Sequence, residues 1–237
     1  MGLENRVAVI TGATGGLGQV VAHQFAEQGA RLALFSTNAE HLEQLAGQLH
    51  LPAERVLTHA LDLRDPNAAP AAVQVVLDQF ERADILLHLV GGWSGGKRVV
   101  EVTANEVSAM LQQHLWTTLY LMQAFVPHFV AHHWGRLIAI SSPHASRPPA
   151  SGAPYAIGKA AQEALFLTLA EEVKDTGVTA NILLVRTIDV KHERDREHTA
   201  KNASWTTPEE IAAAICYLCS DEARVVNGAR IPLYGSM

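Results

Sequence analysis

A tyrosine and a lysine placed four residues apart are the part of this sequence best suited to proton transfer. Tyr155 and Lys159 would lie on one face of a helix, because side chains at that spacing are neighbours. A free tyrosine has a pKa of about 10, and a nearby lysine cation would lower that pKa toward neutrality. Ser142, from a separate segment, could supply a second hydroxyl. A solvated helix can carry a tyrosine and a lysine at this spacing by chance. The pair therefore predicts catalysis only if a hydride carrier binds beside the two side chains.

The N-terminal segment has the pattern of a nucleotide-phosphate site. Residues 6–11 form a β-branched apolar run typical of a buried parallel strand, and four glycines follow within residues 12–18. Residues 19–28 then have the pattern of an amphipathic helix. A strand, a glycine-rich turn and a helix N-terminus form a cradle whose backbone amides face a phosphate. The P-loop signature is absent, and the density of glycines disfavours the alternative of a tight turn that binds nothing.

Together the two motifs resemble the short-chain dehydrogenase/reductase family over the whole chain. Residues 11–18 match its Thr-Gly-x-x-x-Gly-x-Gly cofactor motif, and Ser142, Tyr155 and Lys159 match its catalytic residues in order and spacing. The resemblance implies hydride transfer between NAD(P) and a small carbonyl/secondary-alcohol substrate. Tyr155 would be the acid/base, Ser142 would orient the substrate oxygen, and Lys159 would bias the tyrosine and hold the nicotinamide ribose. The residues assigned to cofactor binding are Gly12, Thr14, Gly16, Leu17, Gly18, Ser36, Thr37, Asn38, Asp62, Leu63, Gly91, Tyr155, Lys159 and Ile188.

Strand and helix patterns alternate along the sequence, which predicts a single Rossmann-type α/β domain over residues 1–237. We expect a doubly wound, seven-stranded parallel sheet with helices on both faces and a ligand crevice at the carboxyl ends of the strands. Pro127 is expected to kink the long fourth helix. The predicted strands lie near 6–11, 31–35, 55–60, 84–90, 135–141, 178–184 and 229–233. The predicted helices lie near 16–28, 38–49, 66–82, 103–131, 153–175 and 207–220.

Composition restricts the function classes. With 48% hydrophobic residues the chain can bury one large core, and a net charge of −6 disfavours nucleic acid as the main partner. No apolar stretch is long enough to span a bilayer and no signal-peptide pattern is present, so we expect no membrane partner and a cytoplasmic location. Two cysteines cannot form a disulfide framework. We interpret the Cys216-x-x-Cys219 pair as buried core residues. We interpret the histidines of residues 128–133 as a polar helix end, so no metal site is predicted.

The residues after the second strand bear on the form of the cofactor. An acidic side chain there would bind the ribose hydroxyls of NAD and repel the 2′-phosphate of NADP. This chain has Ser36, Thr37 and Asn38 instead, whose hydroxyls and amide could bind that phosphate. The arginine that is common in phosphate-preferring relatives is absent here and from the glycine segment. We expect NADP, with NAD as the alternative. These three residues could also simply open a turn and cap the next helix.

Two histidines depart from the family pattern. His88 stands in the segment where the family has Asn-Asn-Ala-Gly, and His114 replaces the asparagine of the catalytic helix. His114 could offer its backbone carbonyl to a water beside Lys159, or its imidazole could join a proton relay, since histidine titrates near neutral pH. The alternative is that His114 only fills space in the helix. We expect His88 to be a hydrogen-bonded core residue.

Further departures follow the sixth strand. Val185 and Arg186 replace a Pro-Gly pair, and Val190 replaces a threonine. Arg186 could bind an anionic substrate or a carboxylate of the nearby loop, and residues 190–204 are expected to form a mobile lid. These departures keep a second class of function open, a nucleotide-binding sensor or scaffold without catalysis. By resemblance the chain should form a homodimer or homotetramer through its fourth and fifth long helices.

Overall fold

One parallel sheet organises the chain and creates the crevice in which the predicted site residues meet. In the computed structural model, which describes residues 2–234, seven parallel strands pair in the order β3-β2-β1-β4-β5-β6-β7. The direction of winding reverses between β1 and β4, where a doubly wound sheet opens its ligand crevice. The strands are β1 (Val7–Thr11), β2 (Arg31–Ser36), β3 (Val56–Ala60), β4 (Ile85–His88), β5 (Gly135–Ser141), β6 (Val178–Leu184) and β7 (Arg230–Pro232).

Helices cover both faces of this sheet, which confirms the predicted fold class. Residue 1 and residues 235–237, included in the predicted domain, lie outside the described residues. The helices are α1 (Gly16–Glu27), α2 (Ala39–Leu49), α3 (Ala68–Phe80), α4 (Ala104–Leu111), α5 (Thr117–Ala131), α6 (Ala153–Glu172), α7 (Glu193–Arg196) and α8 (Pro208–Cys219).

The five inner strands, β1, β2, β4, β5 and β6, are rich in apolar residues because both of their faces are buried. Alternate side chains of a strand point to opposite faces of the sheet. Ala8 and Ile10 of β1 therefore join the hydrophobic cluster that includes residues of α1, α2 and α8. Val7 and Val9 join the cluster on the other face, with residues of α3, α5 and α6. This two-layer core holds the carboxyl ends of β1, β4, β5 and β6 in fixed positions.

The predicted fourth helix is divided by a change in helical hydrogen bonding. α4 ends at Leu111, a π-helical turn covers Gln112–Trp116, and α5 begins at Thr117. α5 then continues through Pro127, so the irregular turn lies upstream of the proline. A π-helical turn widens the helix by one residue and is often found at functional sites. Here it contains His114, the residue that departs from the family pattern.

The segment between β6 and α8, predicted as a mobile lid, is tied down by side-chain hydrogen bonds. The carboxylate of Asp189 accepts from the backbone amides of Glu193 and Arg194 at 2.9 and 2.8 Å and so caps α7. Arg194 donates to the carbonyl oxygen of Trp205 and to Glu210 on α8, both at 2.7 Å. These contacts anchor α7 to the start of α8. Among residues 2–234, no helix combines the length and apolarity that a bilayer span requires.

Candidate active site

The glycine segment after β1 forms a cradle in which the backbone leaves no room for a side chain at Gly12 or Gly18. Gly12 has a φ of 74°, and a Cβ there would lie 3.1 Å from the backbone of Leu89 and Val90. A Cβ at Gly18 would overlap the carbonyl oxygen of Gly12. The first turn of α1 has no side-chain cap and no acidic residue. Because the helix N-terminus is favourable for negative charge, this cradle fits the pyrophosphate of a dinucleotide.

The cleft beside β2 is suited to the adenosine half of such a cofactor. It has a volume of about 500 Å³ and lies between the glycine cradle and α4. The hydroxyls of Thr14 and Ser36 are hydrogen-bonded to each other at 2.7 Å, which connects the cradle to the end of β2. The predicted cofactor residues that line this cleft are Gly12, Ser36, Thr37, Asp62, Leu63 and Gly91.

Two residues modify the prediction for the adenosine end. Asn38 does not line the cleft; its side-chain oxygen accepts from the amide of His41 at 3.0 Å and caps α2, the alternative that the sequence left open. Arg64, which the sequence did not single out, does line the cleft. Its guanidinium donates to both oxygens of the Asp62 carboxylate at 3.0 and 2.6 Å, which lowers the pKa of Asp62. An arginine is therefore present here, from the loop after β3.

A second cleft continues from the first and contains the catalytic candidates. Its volume is about 620 Å³, and it shares Gly12, Val90 and Gly91 with the adenosine cleft. Trp93 also lines it. The predicted site residues that this cleft brings together are Gly12, Gly16, Leu17, Gly18, Gly91, Ser142, Tyr155, Lys159 and Ile188. The two clefts thus place the phosphate cradle and the Ser/Tyr/Lys set in one crevice.

Tyr155 is mostly enclosed, and its environment favours the protonated phenol. Burial raises the pKa of Tyr155, and the neighbouring Ser142 hydroxyl acts in the opposite direction. The rings of His114 and His144 meet the tyrosine ring edge-on, with centroids 5.7 and 6.4 Å away. The direction of the shift is opposite to the one that the helical spacing predicted. Desolvation disfavours a phenolate, and Lys159 has other partners.

Lys159 is buried and held by two oxygen acceptors. Its Nζ donates to the carbonyl oxygen of Ile140 at 2.8 Å and to Oε1 of Gln162 at 3.0 Å. Burial lowers the pKa of Lys159 to about 7, with the Glu163 carboxylate acting in the opposite direction. The sequence analysis missed Gln162, although its position three residues after Lys159 places it on the same helix face. The lysine side chain is therefore fixed by the protein itself.

A hydrogen-bonded chain connects Lys159 to the backbone of His114. The Gln162 amide that faces Lys159 donates to the Thr118 hydroxyl at 3.0 Å, and this hydroxyl donates to the His114 carbonyl oxygen at 2.6 Å. The sequence predicted a water at this place. Side chains of α5 and α6 make a direct connection here. Thr118 lies four residues after His114, the spacing at which a threonine hydroxyl bonds back to a helix carbonyl.

The imidazole of His114 is neutral and packs against the tyrosine. Its Nε2 donates to the carbonyl oxygen of Gly92 at 3.2 Å, and its Nδ1 is buried without a hydrogen-bond partner. Burial lowers the pKa of His114 to about 3, and the Lys159 cation adds to this effect. The predicted relay through a histidine that titrates near neutral pH is therefore wrong. His114 lines neither cleft and contacts the site through the ring of Tyr155.

His88 is a core residue, as predicted. Its Nδ1 lies 2.8 Å from the Thr11 hydroxyl and its Nε2 lies 3.1 Å from the Thr117 hydroxyl. These contacts join β1, β4 and α5 directly below the crevice. Burial lowers the pKa of His88 to about 3, so this imidazole is also neutral.

The histidines of residues 128–133 and the Cys216/Cys219 pair line neither of the two clefts. The ring centroids of His128 and His132 lie 4.0 Å apart with the rings tilted by 33°, and Nε2 of His128 accepts from the backbone amide of Ala83. Across residues 2–234 there is no group of three or more His, Cys, Asp or Glu side chains that could hold a metal ion. Cys216 and Cys219 are buried free thiols whose pKa burial raises, which makes them poor redox nucleophiles.

Comparisons with known proteins agree with this geometry. Residues 6–201 match the family described as short chain dehydrogenase. A 3-oxoacyl-(acyl-carrier-protein) reductase of Vibrio cholerae is 27% identical over 100% of this chain and 99% of its own length. A hydroxy(phenyl)methyl-succinyl-CoA dehydrogenase subunit of Thauera aromatica is 30% identical over 96% of this chain and 94% of its own. A similar solved structure is that of L-sorbose reductase from Gluconobacter frateurii, complexed with NADPH and L-sorbose. It has a TM-score of 0.89 and 26% sequence identity, and the match covers 100% of this chain and 98% of that chain.

Proposed function

The chain belongs to the short-chain dehydrogenase family and is an NAD(P)-dependent oxidoreductase, and on that premise we propose that it interconverts a carbonyl compound and a secondary alcohol with NADP(H). One observation carries the proposal: Ser142, Tyr155 and Lys159 line the same cleft as the glycine cradle. The neighbour complexed with NADPH and L-sorbose supports a reductase with a small-molecule substrate. The two free buried cysteines support the cytoplasm as its location.

Each catalytic side chain has a separate task in the reduction direction. Tyr155 donates its phenolic proton to the carbonyl oxygen as negative charge develops there. Ser142 donates a hydrogen bond to the same oxygen and orients it. Lys159, held by Ile140 and Gln162, would hold the nicotinamide ribose. A bound nicotinamide supplies the hydride. Because burial raises the pKa of Tyr155, the phenol is the form present at neutral pH, and it is the form that reduction requires.

The cofactor residues support NADP over NAD. The glycine cradle would hold the pyrophosphate, Asp62 and Leu63 the adenine, and Ile188 the nicotinamide end. Ser36 and Thr37 line the adenosine cleft with hydroxyls, and no carboxylate follows β2 to repel a 2′-phosphate. The guanidinium of Arg64 lines the same cleft, where it is paired with the carboxylate of Asp62.

Exposed apolar faces support a homodimer or homotetramer. The family resemblance implies assembly through the long helices that include α5 and α6. Ile157 and Leu167 of α6 are open to solvent, as is Trp116 in the π-helical turn before α5. Monomeric soluble proteins rarely leave such faces uncovered.

Substitution of Tyr155 by phenylalanine tests the proposed reaction. The variant Tyr155→Phe should keep NADPH binding and lose turnover by about a hundredfold or more, because general acid catalysis is worth about that factor. Binding is measured by the change in NADPH fluorescence, and turnover by NADPH absorbance with a panel of aldehydes, ketones and quinones. Tyr217→Phe, on an exposed position of α8, is the matched control.

Two outcomes would change the proposal. Unchanged turnover in Tyr155→Phe would remove this tyrosine from the mechanism. Tight NADPH binding by the unmodified protein without oxidation of NADPH by any member of the panel would favour the sensor or scaffold alternative.

A further inference from the structure

A third cavity, with a volume of about 770 Å³, opens beside the catalytic cleft and is lined by Arg147, Arg186 and Arg230. We propose that this arginine cavity binds an anionic group of the substrate. The physiological substrate is then a carbonyl compound or alcohol that carries a carboxylate or phosphate. The inference rests on the proposed function of the neighbouring cleft and adds to it the chemical class of the substrate.

The charge of the cavity is the first argument. The chain has a net charge of −6, yet no aspartate or glutamate is among the described residues that line this cavity. Arg230 is compensated by Glu163, whose carboxylate lies 2.7 Å from its guanidinium. The described lining as a whole therefore presents three guanidinium groups and no carboxylate. Arginine presents planar pairs of donors that match a carboxylate or phosphate.

The connection to the catalytic cleft is the second argument. His144, Arg186 and Thr187 line both the arginine cavity and the catalytic cleft, so the two spaces share a wall. The ring of His144 meets the ring of Tyr155 edge-on at 6.4 Å. A substrate whose reacting oxygen faces Tyr155 can thus extend past His144 into the arginine cavity. Burial and the charge of Arg186 lower the pKa of His144, so this imidazole adds no charge to the shared wall at neutral pH.

The remaining walls indicate the body of the substrate. Trp205, Tyr234 and Pro143 contribute flat or apolar surface to the same cavity. The guanidinium of Arg186 lies over the ring of Tyr234 at 5.4 Å, which positions a cation against an aromatic wall. Anionic compounds with an aromatic or aliphatic body suit this combination better than polyhydroxylated neutral ones.

The test compares acids with their neutral esters. The probes are 3-acetylbenzoate, 4-acetylbenzoate and 4-oxopentanoate, each paired with its methyl ester, and 3-acetylphenyl phosphate as the phosphate-bearing arm. The readout is the acid-to-ester ratio of kcat/KM, which cancels any loss common to both members of a pair. At least one pair should show a ratio of about tenfold or more, the expected value of a charge-assisted hydrogen bond. The better of the carboxylate and phosphate arms identifies the anion.

Variants assign the preference to the cavity. Arg147→Gln and Arg186→Gln should each reduce the acid-to-ester ratio several-fold, and the double variant should bring it close to one. Arg224→Gln removes an equal charge from an exposed arginine that lines none of the three spaces and should leave the ratio unchanged. A ratio near one in the unmodified protein for every pair, or a high ratio that survives in the double variant, overturns the inference.

A binding measurement separates this inference from the proposed function. If none of the probes is turned over, saturation-transfer NMR of the same acids and esters with the NADPH-loaded protein still reports on the cavity. Acid binding that is lost in Arg147→Gln would keep the anion site while the carbonyl/alcohol reaction fails. Absence of acid binding in the unmodified protein overturns the anion site.

Discussion

Burial decides the protonation state of the basic side chains around the catalytic centre. His88 and His114 have pKa values of about 3, and Lys159 has a pKa of about 7. In all three the largest cause is desolvation, which disfavours the charged form. The two histidines instead use their nitrogens for hydrogen bonds and ring packing. His114 therefore meets the ring of Tyr155 as a neutral imidazole.

The buried neutral histidines predict a loss of stability in acid. The pKa of His114 is about 3 in the folded chain and about 6.5 in the unfolded chain, so between these values the unfolded state binds more protons. The free energy of unfolding therefore falls as the pH falls below 6.5. From pH 7 to pH 5 each such histidine should contribute a loss of about 2 kcal/mol. His114→Asn should remove the contribution of His114 to this loss. The free energy of unfolding is measured with urea at pH 7 and at pH 5.

An exposed histidine provides the control for that experiment. His198→Asn replaces a solvent-exposed imidazole and should leave the pH dependence of unfolding unchanged. The interpretation of His114 as a buried neutral group fails if His114→Asn loses as much stability in acid as the unmodified protein.

At the scale of elements, the site is built from the segments that follow the carboxyl ends of the strands. The segment after β1 gives the glycine cradle, the end of β2 gives Ser36, and the segment after β5 gives Ser142. The segment after β6 extends over the cradle, where the γ-methyls of Val190 would lie 2.7 and 2.8 Å from a Cβ at Gly16. Parallel strands bring these ends together at one edge although they are distant in sequence.

The difference between local sequence signals and tertiary contacts explains which features could be predicted from the sequence. All seven strands were predicted, and the inner strands have the clearest local signal, because a parallel strand buried on both faces is a continuous apolar run. The π-helical turn at Gln112–Trp116 has no such signal, since it depends on how α4 and α5 pack on α6. The partners of Lys159 and the convergence of Arg147 with Arg186 were also missed. They depend on tertiary contacts between segments that a motif does not describe.

The end of β2 predicts how the cofactor preference can be reversed. Ser36→Asp places a carboxylate in the adenosine cleft, where it should repel a 2′-phosphate and accept the ribose hydroxyls of NAD. The ratio of kcat/KM for NADPH over NADH should fall by about a hundredfold, since one charged contact is worth about 1.5–3 kcal/mol. Both values are measured with one carbonyl substrate.

A neutral substitution at the same position controls for the lost hydroxyl. Ser36→Ala also removes the hydrogen bond to Thr14 but adds no charge, so its NADPH preference should change much less. An equal change in the two variants would show that the hydroxyl contact decides the preference, and that charge repulsion does not.

At the scale of the whole molecule, α6 is apolar on two sides. Its inner side contributes Phe166 and Leu169 to the core. Its outer side exposes a stripe at helical spacing, formed by Ile157, Ala160, Ala164 and Leu167. On the neighbouring helical segment the ring of Trp116, which is 41% exposed, stacks on that of Tyr120 at 6.2 Å. A fold that needed only its own core would have placed charged residues on the outer side of α6.

The α6 stripe predicts self-association that two aspartate substitutions in the stripe should abolish. In a two-fold interface the same patch faces itself, so Ala164→Asp with Leu167→Asp places four carboxylates close together across the contact. Light scattering should give a mass of two or four chains for the unmodified protein and one chain for the double variant. Val225→Asp adds charge to a side chain that is 80% exposed away from the stripe and should leave the mass unchanged. A double variant that keeps the assembled mass would move the interface off α6, and a monomeric unmodified protein would leave the stripe without this explanation.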